Sequence, residues 1–415
     1  MLSECDVLNC ANVAVTLYGF KTSYFPQICS LNFLLSQRNF HNQDFRKKWN
    51  TGSQTGIPGA HNPAALPLIS IGIGVASYGS STPGLKSMEK FSMKKAILSL
   101  TSFVLLACSL SLRADSVLTT VIVGNEPGGV AVNPVTNKVY VGVLSTGQVL
   151  VLDGRTQKIT ARIAAQGFLL AANPVTNRIY AASCNPAVPS CNVAVINGRN
   201  NKVIANVPIN SGSEIGIQGL TVNPVNNRIY VSDADNAQYI VIDGNTNSII
   251  AQVPVFNQPA GLAVDPKTNH LFVAAAGFPG EVLVFDGATN TQIAAIPESF
   301  GVENVADNFR LNRAYATVTT TNDVSVIDTT ANVEVTEVPT EQFPNGIDVN
   351  LLNNRVYVVN SNSASVTIIN GNTNQVLQTL PIPATFARNI AVNPVTGFSY
   401  ITDSSSDQVI VLTEK

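Results

Sequence analysis

The chain has 415 residues, of which 12% are charged and 45% hydrophobic, with a formal net charge of -2. That balance argues against sequence-independent nucleic-acid binding, which rests on basic surface. Three His and six Cys, with no His pair, no CxxC and no His-rich run, leave copper, haem and zinc sites without ligands.

Residues 1–87 show no repeat and no steady hydrophobic period, and they hold the only Trp, Trp49. They read as a segment outside the native product, or else as a disordered extension. The expected start is Met88 or Met93. Met93 opens MKKAILSLTSFVLLACSLSLRADS, in which two lysines, an apolar run from Ala96 to Cys108 and then small residues form a secretory signal. The run is too short for an ordinary membrane span. Residues 88–114 are therefore assigned to a signal peptide and 115–415 to the mature domain. Cleavage after Ala114 would release a soluble chain beginning at Asp115. Alternatively LLAC offers Cys108 for lipidation, although Leu106 is not the favoured residue two places before such a Cys. Either route exports the domain to the periplasm or the cell exterior.

From Asn133 onward one phrase returns: NPVTNKVYV, NPVTNRIYA, NPVNNRIYV, DPKTNHLFV, NFRLNRAYA, NLLNNRVYV and NPVTGFSYI. Its aromatic falls at Tyr140, Tyr180, Tyr230, Phe272, Tyr315, Tyr357 and Tyr400, at intervals of 40, 50, 42, 43, 42 and 43 residues. Each period contains four short runs rich in Val, Ile and Tyr, punctuated by Asn, Asp, Gly and Pro, which is strand chemistry between tight turns. Four strands per unit at this period predict an all-β fold, a seven-bladed β-propeller of four-stranded antiparallel blades. The Asn that opens NPVTN bonds the backbone ahead of it and Pro presets φ, so the hairpin keeps its register. The last unit stops after three strands. SVLTTVIVGNEPGGVAV, from Ser116, matches SIIAQVPVFNQPAGLAV, from Ser248, so the N-terminal strand is expected to complete the last blade and remove an open edge.

The phrases PxGVAVNPxTNKVYV and VxVIDGxTNxV resemble the YVTN family of β-propeller repeats, common in bacterial and archaeal exported proteins. The resemblance covers Ser116 to Lys415 and implies fold rather than ligand, because the motif consists of turn and core residues. The fifth unit, VADNFRLNRAYATV, departs most from it and lacks the usual Pro, which puts its turn type in question.

Cys184 and Cys191, in SCNPAVPSC, are the cysteines that follow the signal; they are read as a disulfide in the loop between second and third strands of the second blade. From Ser116 onward 14 Lys and Arg stand against 21 Asp and Glu, which again argues against nucleic acid as a partner. His270 takes the place that Lys138, Arg178, Arg228, Arg313 and Arg355 hold in other blades and is expected to be a solvated turn residue. Those basic residues are expected to pair locally with Asp153, Asp243, Asp286 and Asp328 rather than to form a ring for an anionic ligand. The Asp233–Asp235 pair is read as solvated loop carboxylates ahead of a calcium site.

No nucleophile–base set can be assembled, and no cofactor or metal is expected. Two function classes stand. One is a non-catalytic, monomeric binding or scaffold module of the cell envelope that takes a protein, peptide or glycan. The other is a hydrolase or lactonase with a carboxylate-bound metal at the central channel. The inner strands favour the first, being apolar except at Asp307 and Asp348. Blade loops between second and third strands, and between successive blades, share the variable face. Both large insertions fall there, in the second blade, so the candidate binding residues are Asn185, Pro186 and Val188 in one loop and Ser211, Glu214 and Ile215 in the next.

Overall fold

The alternating Val, Ile and Tyr runs are strands throughout, and among the described residues there is no helix. A computed structural model describes residues 32–34, 72–74, 114–185, 190–209 and 216–414. The chain divides into two units, Met1–Leu110 and Ser111–Lys415. In the first, the described elements are two three-residue strands, Asn32–Leu34 and Gly72–Gly74, paired antiparallel. The expected signal segment and Cys108 lie outside the described residues.

The second unit is a seven-bladed β-propeller, built from seven four-stranded antiparallel sheets. The inner strands of blades 1 to 7 are Pro127–Asn133, Leu169–Asn173, Leu220–Asn223, Pro259–Asp265, Val302–Asn308, Pro344–Asn350 and Ala387–Asn393. Each packs against the next, and the seventh packs against the first. The outermost strand of blade 7 is Ser116–Ile122, which pairs with Gln408–Thr413 in the register Val117 to Leu412 and Val121 to Val409. Its register slips between Val117 and Thr119, as the third-to-fourth pairing does at Val151/Leu152 in blade 1 and Val326/Ile327 in blade 5. The N-terminal strand thus fits as a regular fourth strand, down to its bulge. The repeated aromatics are fully buried and fill the blade interfaces.

The NPVTN phrase does two jobs. Within a blade, Asn133 Oδ1 accepts from the Val135 and Thr136 amides at 3.1 and 3.3 Å, and Asn137 takes φ of 51°. Between blades, Asn133 Nδ2 donates to Asn177 Oδ1 of blade 2 at 2.9 Å. The same clasp joins Asn173 to Asn227, Asn223 to Asn269, Asn308 to Asn354 and Asn393 to Asn137, at 2.8 to 3.1 Å. Blade 5 therefore keeps the turn without its Pro: Asn308 Oδ1 accepts from Arg310 N at 3.2 Å, and Asn312 has φ of 52°.

Two joints differ. Gly397 has no amide to offer Asn350, which donates instead to Glu414 Oε2 at 2.7 Å. Asp265 has no N–H to donate to blade 5; Lys267 Nζ reaches Asn312 Oδ1 at 3.2 Å in its stead.

The basic residues mostly reach across to the next blade rather than pairing with their own. Lys138 Nζ donates to the Gly198 carbonyl at 3.0 Å, and Arg178 and Arg228 donate to the Gly244 and Gly287 carbonyls. Among the described residues the expected local pair forms in blade 5, Arg313 with Asp328 at 2.6 Å. The turn amides hold Oδ1 of the Asp in blade 1 and blade 5 alike, and in blade 5 Oδ2 takes Arg313; in blades 1 to 3 the turn carbonyl next door accepts the cation. His270 is half-buried rather than solvated, and its Nδ1 has no hydrogen-bond partner. It is too short to make the reach that Arg makes.

Cys184 and Cys191 form a disulfide. They lie in the ladder itself, directly opposite each other on Arg178–Asn185 and Ser190–Asn197, and not in the loop. These strands have eight residues, against six in Lys138–Val143 and Gln148–Asp153 of blade 1, so the hairpin is an extended arm.

Candidate functional site

Inner strands of a propeller must come close together near the axis, which restricts what they can carry. At the fourth position before the turn Asn or Asp, blades 4 and 6 have Gly261 and Gly346. A Cβ there would lie 2.4 Å from Asn304 Oδ1 and 2.1 Å from the Arg388 carbonyl. At the next position every blade supplies one aliphatic side chain: Val130, Leu170, Leu220, Leu262, Val305, Ile347 and Ile390. These seven line a chamber of about 140 Å³ on the axis. It is a dry collar.

Above the collar the channel widens into a bowl of about 690 Å³ on the variable face, with Leu144 and Ser404 from loops between second and third strands in its wall. Its rim carries the fifth position before the turn Asn or Asp from six blades, Gly128, Phe168, Gln218, Glu303, Asn345 and Arg388; the seventh, Ala260, is buried in the core between blades 4 and 5. No two blades agree there. Two residues on, the same strands give the uniform aliphatic collar. The repeat is held constant where the ring needs it and has diverged where the strands emerge into the bowl.

The polar side chains cluster on blades 5 to 7. Asn304 Nδ2 donates to the Asn345 carbonyl at 3.2 Å, and Asn389 Nδ2 donates to the Gly128 carbonyl at 3.2 Å. Each amide thus spends its N–H on the wall. The Arg388 guanidinium sits 4.9 Å from the centre of the Phe386 ring, a cation–π contact that fixes its position. Burial raises the Glu303 carboxyl above its ordinary range, and the charge of Arg388 pulls it partly back.

The residues proposed from sequence belong to the second blade and its exit segment. Asn185 ends its strand opposite Ser190. Pro186, Val188, Ser211, Glu214 and Ile215 lie outside the described residues. Ile217, at the end of that exit segment, is buried in the core between blades 2 and 3 rather than offered to a partner. The bowl takes Phe168 and Gln218 from this side of the ring. Loop length drew attention to blade 2; comparing the seven blades position by position would have pointed to the rim.

The channel carboxylates do not meet. Asp348 is enclosed between blades 6 and 7, where its oxygens accept from Val392 N at 2.7 Å and Val349 N at 2.8 Å. Asp307 faces blade 4, and neither of its carboxylate oxygens has a partner. Burial, aided by the charge of Asp265, pushes it up to about 8. Asp233 is buried and accepts from Asn236 Nδ2 and Gln238 Nε2 within its hairpin, rather than standing in solvent. Among the described residues no three His, Cys, Asp or Glu side chains converge.

No family model matches the chain, and no curated protein does. Among solved structures it is similar to hydrazine synthase of Kuenenia stuttgartiensis, with a TM-score of 0.61 and 17% identity, over 70% of this chain and 96% of that one. That likeness shows the fold alone. In all, 1696 solved chains match, so resemblance at this level points to an architecture and not to a chemistry.

Proposed function

We propose that the chain is a non-catalytic binding module of the cell envelope, of the YVTN repeat type, that takes its ligand in the bowl at the channel mouth. The divergence of the rim carries this reading. A position that only had to close the ring would repeat, as the collar does; six different residues around a cavity of about 690 Å³ suit recognition. The Cys184–Cys191 disulfide and the MKKAILSL signal support a life in an oxidising compartment outside the cytoplasm, as a monomer without nucleic-acid partners.

The hydrolase reading finds one observation in its favour: Glu303, Asn304, Asn345 and Asn389 together present oxygen atoms at the mouth, as a hard cation requires. Arg388 stands against it, since a guanidinium close enough to act on Glu303 opposes a dication there. Metal analysis after dialysis against calcium and zinc separates the two. A metal-free protein whose ligand binding is blocked by Gln218→Trp, with unchanged Tm, supports the binding module. Stoichiometric calcium or zinc together with hydrolysis of a lactone overturns it.

A further inference from the structure

Glu303 and Arg388 carry opposite charges on blades 5 and 7, on either side of Asn345, and both line the bowl. They form no salt bridge with each other, and no hydrogen bond holds either side-chain charge among the described contacts. Glu303 is half-buried, where an unmatched charge is costly. In the same arc Asn304 Nδ2 donates to the Asn345 carbonyl and Asn389 Nδ2 to the Gly128 carbonyl, while Asn304 Oδ1 lies against Gly261 of blade 4. The arc thus offers a half-buried carboxylate suited to an ammonium group and an exposed guanidinium suited to a carboxylate.

The same arc is the place where the inner strands break their own rule. Where blades 4 and 6 have Gly261 and Gly346, blades 5 and 7 have Asn304 and Asn389. The charged pair sits on those same two blades, one residue earlier. Two polar departures from the glycine of the other blades thus stand beside the charged pair and face one cavity, and the clasp and the core elsewhere in these blades are kept.

We infer that the bowl binds a small zwitterion of the amino-acid type, free or as a dipeptide, with its ammonium group held by Glu303 and its carboxylate by Arg388. This rests on the binding-module reading and adds the ligand class. A ligand with both charges gives each group a direct partner at once; a simple amine or acid serves one of them. The aliphatic collar beneath closes the floor against apolar side chains longer than the bowl accepts.

The test is calorimetry on the mature propeller with glycine, glycylglycine, alanine and 4-aminobutyrate, against methylamine, acetate and glucose. The expected result is binding of one or more zwitterions at least tenfold tighter than methylamine or acetate, about 1.4 kcal/mol. E303Q and R388Q should each weaken it at least tenfold with Tm unchanged. The double variant E303R/R388E should recover part of the loss, because a zwitterion can bind reversed. Binding of glucose alone, blocked by Gln218→Trp, would overturn the zwitterion and leave the binding module standing. Zwitterion binding insensitive to E303Q and R388Q, or no binding by any of these probes, would overturn the assignment.

Discussion

Arg355 Nη1 meets Asp115 Oδ1 at 2.7 Å across 240 residues of sequence, and the same carboxylate accepts from Tyr357 Oη at 3.0 Å. In blades 1 to 3 the corresponding basic residue reaches a Gly carbonyl in the next blade's last hairpin. Blade 7 lacks that hairpin, because its third and fourth strands come from opposite ends of the domain. Asp115, buried to 3% exposure, and Glu414, 3.2 Å from Arg355, supply the acceptors instead.

Asp115→Ala should therefore destabilise the ring by about 2–4 kcal/mol, since it strands a partly buried guanidinium and a buried tyrosine. Tyr357→Phe should cost about 1 kcal/mol. Removing residues 116–122 should cost far more, by exposing the edge of Gln408–Thr413. Urea midpoints measure all three; an Asp115→Ala protein with an unchanged midpoint would show that the chain ends are not latched through this residue.

The clasp gives a graded series at Asn173, which is fully buried and makes three bonds: from Val175 N and Thr176 N, and to Asn227. Asn173→Asp keeps the turn and loses the inter-blade donor, for about 1–2 kcal/mol; Asn173→Ala loses all three, for about 2–3 kcal/mol. Asp265→Asn should go the other way and stabilise, by restoring a donor and removing a charge from beside Asp307. Equal midpoints for Asn173→Asp and wild type would leave the clasp without energetic weight.

Stability should depend on pH through Asp307. Its folded value of about 8 lies above the ordinary carboxylate value, so the folded chain holds a proton that the unfolded chain has released. This favours folding most at pH below the ordinary value, and the advantage is lost as pH rises through the folded value. Asp348, pushed up to about 6 by burial, and Glu298, pushed up to about 7, act with the same sign. Tm should fall between about pH 5 and 8.5, and Asp307→Asn should flatten the upper part of that slope. A wild-type profile that rises over this range would contradict the environment described for Asp307.

Reduction of Cys184–Cys191 should cost at most about 2.5 kcal/mol, the chain-entropy value for so short a loop. The strands that carry the cysteines remain paired with Lys202–Ile209 on one side and Leu169–Asn173 on the other. Denaturation with and without reductant should therefore show a modest shift and an intact fold, while proteolysis should open the arm first.

The fold was legible because its instructions are local and repeated. Turn Asn, buried Tyr and alternating Val can be read from any one blade, and the missing fourth strand after Gln408–Thr413 pointed to Ser116. The inter-blade clasp was not legible. Nothing local tells whether the Asn133 amide bonds its own turn or the blade beyond, and Arg228 gives no sign that it prefers the Gly287 carbonyl next door to Asp243 opposite. The bowl was missed for a related reason. Loop insertions stand out in a sequence, whereas Glu303, Asn345 and Arg388 become one site only when blades 5, 6 and 7 curve round a common axis.

The pairing of Ser116–Ile122 with Gln408–Thr413 also sets an order of events. One partner is among the first parts of the domain to be synthesised and the other among the last. The edge of blade 7 therefore stays open until the last strand of the domain has been synthesised. The contacts that seal the ring have the longest separation the domain allows, which favours slow closure. A chain built this way remains unsealed along its length while it is being made, the state in which a polypeptide can still be threaded through a narrow pore.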